Sequence, residues 1–219
     1  MKHAESRAGA YHHGDLKAAL RVEAERILAT GGAEAVSLRQ VARNAGVSHA
    51  APYRHYASRE ALLADIAVGG FERLLARFGA LDDETHDPAR RFLAMAETYV
   101  DFALSEPAIY RLMFGATLKK ADHLALAEAG AQTFAALERA VAGLGVRAPA
   151  DVEAVAAWSM AHGLAELVLD QKIEAEILAG ESADWRMIVD AAASIFVAGL
   201  KARLTAPANS SPREGAEEA

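Results

Sequence analysis

The sequence predicts an all-α fold of about nine helices in two parts. A three-helix unit with a tight helix–turn–helix corner comes first, and a larger helical body follows. Three observations predict this. Ala, Leu, Glu and Arg dominate the 219 residues and only 6% are aromatic, a mixture whose side chains lose little freedom in helices. Apolar residues recur at helical spacing, and no stretch alternates convincingly as a strand. Gly, Pro and capping residues fall at intervals that cut the chain into helix-sized pieces.

Taken in order, residues 1–10 are expected to form a mobile arm. The first helix runs from about Asp15 to Thr30, with Leu16, Leu20, Ile27 and Leu28 on one face and Gly31-Gly32 ending it. Ser37 and Gln40 form an S-x-x-Q capping box that starts the second helix, which Gly46 stops. Pro52 belongs in a first helical turn, so the third helix is expected from about Ala50 to Tyr56. The fourth starts after Ser58, a good N-cap, and reaches about Ala80 with Leu62, Leu63, Ile66, Leu74, Leu75 and Phe78 inward. Asp87-Pro88 then reads as N-cap and first residue of a fifth helix that reaches Leu104. Pro107 begins a short sixth helix that ends at Gly115. The remaining three are expected over about Ala121–Leu144, Asp151–Leu178 and Asp184–Leu204. The tail from Thr205 is polar and rich in Pro and Ser, which predicts disorder.

Cysteine is absent, which excludes disulfides and thiolate metal sites. No signal sequence and no apolar run approaching about 18 residues is read, so a soluble cytoplasmic protein without membrane partners is expected. The net charge of −7 is unevenly spread. Residues 1–75 hold ten Lys and Arg against eight Asp and Glu, and the remainder holds 13 against 22. An acidic body with a mildly basic head suggests that only the head faces phosphates.

A helix held at a fixed tilt against another needs a small residue at the contact, a Gly with positive φ at the turn, and an apolar residue just after it. Ala42, Gly46 and Val47 stand at that spacing, and Val41 and Ala45 complete the inner face. The segment Ser48-His49-Ala50-Ala51-Pro52-Tyr53-Arg54-His55-Tyr56 follows. It is rich in hydrogen-bond donors, and its small alanines would let it lie close to base edges.

Residues 11–75, from YHHGDLKAAL through SLRQVARNAGVSHAAPYRHYASREALL, resemble the DNA-binding domain of the tetracycline-repressor (TetR) family. The pattern GVS-x4-Y-x-H-Y-x-S-R-E-x-L-L carries the resemblance. Pro107–Phe114 and Trp158-x3-His162-Gly163 resemble the family subgroup whose C-terminal domain has a Trp-His-Gly motif. The resemblance implies a DNA-binding domain over 11–57 and a ligand-binding and dimerisation domain over 58–204. It also implies operator DNA, a second copy of the chain and a small, largely apolar effector as partners. Arg39 matches a base- or phosphate-contacting position, and His49 and Ala51 match base-edge positions. Tyr53, His55 and Arg59 match phosphate contacts, and Ser37 and Ser48 cap helices and touch phosphate. Arg54 joins them as a DNA-facing residue, at a position that varies in the family. Many relatives carry a larger apolar residue where Pro52 stands. Tyr56 is expected in the core, and Ser37 serves equally as a pure cap.

In the body, Phe92, Met95, Tyr99 and Phe102 fall on one stripe, followed by Tyr110, Met113 and Phe114. Such stripes are mostly ordinary core, yet the resembled family builds its effector cavity there. Trp158 and His162 share a helix face four residues apart. These nine residues are the candidate ligand contacts. The side chains of adjacent His12 and His13 diverge on most backbones, and the His162–Glu166 pair has no third ligand at useful spacing, so no metal and no cofactor is expected. The last two helices carry long apolar faces that either pack locally or, as the resemblance implies, pair across a two-fold axis. The chain is expected not to be an enzyme. The alternative, an all-helical small-molecule binder or enzyme without DNA binding, finds no H-E-x-x-H, P-loop, G-x-S-x-G or G-x-G-x-x-G.

Overall fold

Residues 16–81, 86–147, 149–173 and 184–205 are described by a computed structural model, and every regular element among them is helical. The α-helices are α1 (Leu16–Ala35), α2 (Leu38–Asn44), α3 (Arg59–Ala80), α4 (Pro88–Ser105), α5 (Pro107–Phe114), α6 (Leu124–Gly143), α7 (Asp151–Leu169) and α8 (Trp185–Thr205). Single 3₁₀ turns stand at Pro52–Arg54 and Lys120–Asp122. The expected N-terminal arm, the His12-His13 pair and the tail beyond Thr205 lie outside the described residues.

The head is α1, α2 and the turn at Pro52, closed by the first turns of α3. The helical path of α1 breaks at Gly32, whose φ of 70° and ψ of −179° suit only glycine. Ser37 caps α2 by accepting from the Gln40 amide at 3.2 Å. The reciprocal half of the expected capping box is not made, because the Gln40 side chain turns forward to Asn44 Oδ1 at 2.8 Å. At the other end, Gly46 has φ 68° and nothing near its Cα that a side chain would strike. Its amide donates to Arg43 and the Val47 amide to Ala42, a Schellman closure for which glycine supplies the left-handed residue.

The third expected helix is shorter than the sequence predicts. Pro52 has no amide to give to Ser48, so the Ser48 carbonyl takes the Ala51 amide instead, and regular structure is confined to Pro52–Arg54. Pro52 and Tyr56 are buried and pin the segment to the head, with the Tyr56 hydroxyl donating to Asp65 of α3 at 3.0 Å.

α3 leaves the head and enters the body, where α5 and α6 pack on it. α4 lies between α3 and the pair α7 and α8, and α5 also touches α1. Gly70 allows the close approach of α5, since a Cβ there would meet Met113 Sδ at 2.6 Å and Ile109 Cγ2 at 2.7 Å. Arg73 and Arg77 of α3 both reach Glu106 at the α4–α5 junction, each at 2.9 Å, and Arg73 also approaches Glu25 of α1 at 3.5 Å. Head and body are therefore tied through the same turns of α3.

α7 ends at Leu169, earlier than the expected Leu178. Gln171 adopts φ 53°, and the Lys172 and Gln171 amides close back on Leu167 and Val168 in a second Schellman motif. Residues 174–178 of that expected helix lie outside the described residues. With mean hydropathy 1.3, α7 is by length and composition apolar enough to cross a membrane, although Asp151, Glu153 and Glu166 interrupt the run. Its buried residues are all alanines (154, 157, 161 and 165), while Val152, Val155 and Leu167 face outward.

Candidate DNA-binding face and ligand cavity

Ser37, Arg39, Ser48, His49, Tyr53, Arg54 and His55 are all exposed, on the stretches of chain either side of the tightly closed turn at Gly46. Ala51 is half-buried among them. Tyr53 leaves 55% of its surface open, although its neighbours Pro52 and Tyr56 are sunk in the core. A buried base therefore carries a surface of hydroxyl, imidazole and guanidinium donors, the chemistry that phosphates and base edges accept.

Arg59 is placed differently from the others. Its Nε donates to the Val36 carbonyl at 2.9 Å and its Nη2 to the Ala33 carbonyl at 2.6 Å, with Glu34 and Glu60 at 3.6 Å. This guanidinium seals the chain between α1 and α2 and is occupied within the protein, rather than standing free toward a phosphate.

In the body, a cavity of about 320 Å³ opens between α3, α4, α6 and α7. Of the nine residues expected to line it, Phe92, Met95, Tyr99, Phe114 and Trp158 do so. Phe102, Tyr110, Met113 and His162 do not. Phe102 is fully buried on the α3 side of α4, with the Arg77 guanidinium 5.1 Å from its ring. Met113 is buried against Gly70 of α3. Tyr110 and His162 stand behind the wall as its polar backing. Residues the sequence did not single out for the cavity also line it, among them Phe71 and Phe78 from α3, Gly130, Thr133, Phe134 and Leu137 from α6, Met160 from α7, and Lys120.

The backing is a connected hydrogen-bond network. Trp158 Nε1 donates to the Tyr99 hydroxyl at 3.2 Å. His162 Nδ1 faces the hydroxyls of Tyr110 at 2.7 Å and Tyr99 at 3.0 Å. The Tyr99 and Tyr110 hydroxyls also lie 3.4 Å apart, so the three groups form one cluster in which Nδ1 accepts when the ring proton is on Nε2 and donates when it is on Nδ1. Burial holds the His162 pKa below its ordinary value, Glu166 opposing in part. Burial also pushes the Tyr99 hydroxyl up to about 12 and raises Tyr110 further, so both stay protonated donors.

A pH dependence follows. A histidine whose pKa is lowered by folding binds fewer protons folded than unfolded, so its contribution is complete above the unfolded value of about 6.5 and is lost as pH falls through that value toward the lowered one. Thermal melts of the wild type and His162→Asn from pH 7.5 to pH 5 are expected to converge as the pH drops. A constant gap between them would mean that His162 does not titrate in this way.

Two family profiles match the chain. That described as "Bacterial regulatory proteins, tetR family" covers residues 17–66. That described as "Tetracyclin repressor-like, C-terminal domain" covers residues 92–192. The chain belongs to the TetR family. The head, which the regulatory-protein profile matches, is its helix-turn-helix domain. A solved protein of unknown function from Rhodococcus sp. RHA1 is 34% identical, with a TM-score of 0.77 over 87% of this chain and 98% of that one. The TetR-family transcriptional regulator PfmR from Thermus thermophilus shares the fold at 18% identity, with a TM-score of 0.59 over 82% of this chain and 97% of that one. The nucleoid occlusion factor SlmA of Vibrio cholerae is 28% identical over 99 residues, 45% of this chain. That match spans 50% of SlmA, so the chain spans about half the length of the curated relatives it matches.

Proposed function

We propose that this TetR-family regulator is a repressor that binds a palindromic operator as a homodimer and releases it when a small, largely apolar ligand enters the body cavity. The observation that carries this reading is the double role of α3. The helix starts at Arg59, directly behind the exposed donor segment, and its later residues Phe71 and Phe78 line the cavity. A ligand that pushes on those rings acts on the element that props the DNA-facing segment. It can shift the equilibrium only by preferring the conformation that does not fit DNA.

In the dimer, the apolar faces left open on α7 and α8 meet across a two-fold axis, and two donor segments enter successive major grooves about 34–36 Å apart. Ser37, Arg39, Ser48, His49, Ala51, Tyr53, Arg54 and His55 form the DNA contact set. Arg59 supports the set from behind. The cavity is read as a binding site: its wall is mostly apolar, and His162 lies behind it, engaged at Nδ1 with the Tyr99 and Tyr110 hydroxyls.

Fluorescence anisotropy with palindromic operator fragments, selected from random duplexes, tests this. Salt-sensitive, palindrome-selective binding is expected. Arg39→Ala and Tyr53→Phe are each expected to weaken it by about tenfold, the loss of one good contact. Unchanged affinity in both variants would remove this contact set.

A further inference from the structure

Among the described residues, Lys120 is the one charged side chain on the cavity wall. Its ammonium lies 5.2 Å from the centre of the Phe71 ring and 5.6 Å from that of Phe114. Among the described residues no carboxylate oxygen comes within 4.0 Å of it, although the chain as a whole is acidic. Gly130 of α6 lies beside it on the cavity wall: a Cβ there would be in ordinary contact with Nζ at 3.6 Å and with the Phe71 ring at 3.7 Å. The other polar atoms around the cavity are engaged. The Trp158 N–H is given to Tyr99, and the Thr133 hydroxyl donates to the Ala129 carbonyl at 2.9 Å. Partial burial already holds the lysine pKa below its ordinary value.

We propose that the cavity takes a small organic anion, a carboxylic acid with a compact apolar body, whose carboxylate pairs with Lys120 and whose body lies among Phe71, Phe92, Phe134 and Trp158. This rests on the reading of the cavity as the effector site and names the class of effector. The cavity volume holds about ten groups the size of a water molecule, which suits a medium-chain or alkyl-aryl acid. Charge decides the class. Lys120 as a residue is exposed, so its ammonium stands at the cavity mouth with water on one side and the rings on the other; an acid whose body fills the cavity brings its carboxylate to that cation, whereas a neutral ligand makes no charge pair there. The rings beneath the lysine stabilise the cation without neutralising it.

The test uses the full-length protein and a panel of hexanoate, octanoate, decanoate and 4-ethylbenzoate, with the alcohol matching each acid, titrated by calorimetry and by tryptophan fluorescence. The acids are expected to bind, and the alcohols to bind at least about tenfold more weakly, the difference a charged hydrogen bond makes. Lys120→Met should lower acid affinity by about tenfold or more while leaving the alcohols unaffected, and Lys120→Arg should keep the preference for acids. Gly130→Val, which fills the space beside Nζ, should weaken the acids with Lys120 intact. The assignment is overturned if the alcohols bind the wild type as well as the acids, if no acid in the panel binds, or if Lys120→Met retains acid affinity because the ammonium merely reaches out to solvent. Lys120-dependent acid binding with operator affinity unchanged would support the assignment and count against ligand release as the regulatory step.

Discussion

Tyr110→Ala is expected to lower the free energy of unfolding by about 3–5 kcal/mol, the cost of deleting a fully buried aromatic side chain. For a chain of this size that is a fall in melting temperature of roughly 6–20 °C. The ring has no exposed surface and packs on Phe114 at 5.0 Å between centroids and edge-on to Tyr99 at 5.8 Å. Its hydroxyl holds His162 Nδ1 at 2.7 Å, so truncation also removes a partner from a half-buried imidazole. Tyr110→Phe separates the two parts: it keeps the packing and is expected to cost about 1–2 kcal/mol for the hydroxyl's contacts with His162 and, at 3.4 Å, Tyr99. Circular dichroism melts of both variants check this. The sequence alone puts Tyr110 among the ligand contacts, which would mean lost ligand affinity at unchanged stability. The structure puts it behind the cavity wall, and a melting temperature for Tyr110→Ala equal to that of the wild type would restore the sequence reading.

The same contrast shows what a sequence can disclose about this fold. The head was legible because its geometry depends on a few chemically singular residues. Gly46 is needed at a left-handed turn, Ser37 at a helix start and Ala42 where two helices touch, and each can be recognised without knowing its partner. The cavity was less legible because its wall is shared among four helices whose relative rotation no local pattern fixes. At about 100° per residue Phe92, Met95, Tyr99 and Phe102 all fall within about 80° of one another on α4, yet Phe102, last along the axis, meets Arg77 of α3 instead of the cavity. A stripe of aromatics therefore reads as one face although its far end packs against a different neighbour. Phe134 and Thr133 sit in an Ala-rich run, and Lys120 in a turn between helices, where no period marks them. Arg59 fits the family pattern for a phosphate contact by position. Only the coordinates show the two carbonyls that its guanidinium serves.

Ile195→Glu combined with Val155→Glu is expected to turn the dimer into monomers and abolish operator binding. Ile195 of α8 leaves 72% of its surface open in the single chain, and Val155 of α7 is exposed as well. Charge at such positions costs the isolated protomer little, about 0.5 kcal/mol or less at each. In an isologous interface each substitution appears twice, so four carboxylates would meet around the two-fold axis, stripped of water and without cations. That penalty is several kcal/mol and exceeds what the remaining alanine and valine contacts return. Sedimentation velocity should show a monomer with native helical content. Operator affinity should collapse, because one head alone cannot span both half-sites. Val22→Glu is the control: Val22 is also an exposed apolar residue, 62% open, but it lies on α1 in the head and its variant should remain dimeric. If the double variant stays dimeric, the two-fold axis lies elsewhere on the body and the open face of α7 needs another occupant. If it becomes monomeric yet still binds a palindrome with full affinity, the two heads do not act together and the symmetric mode of DNA binding is wrong.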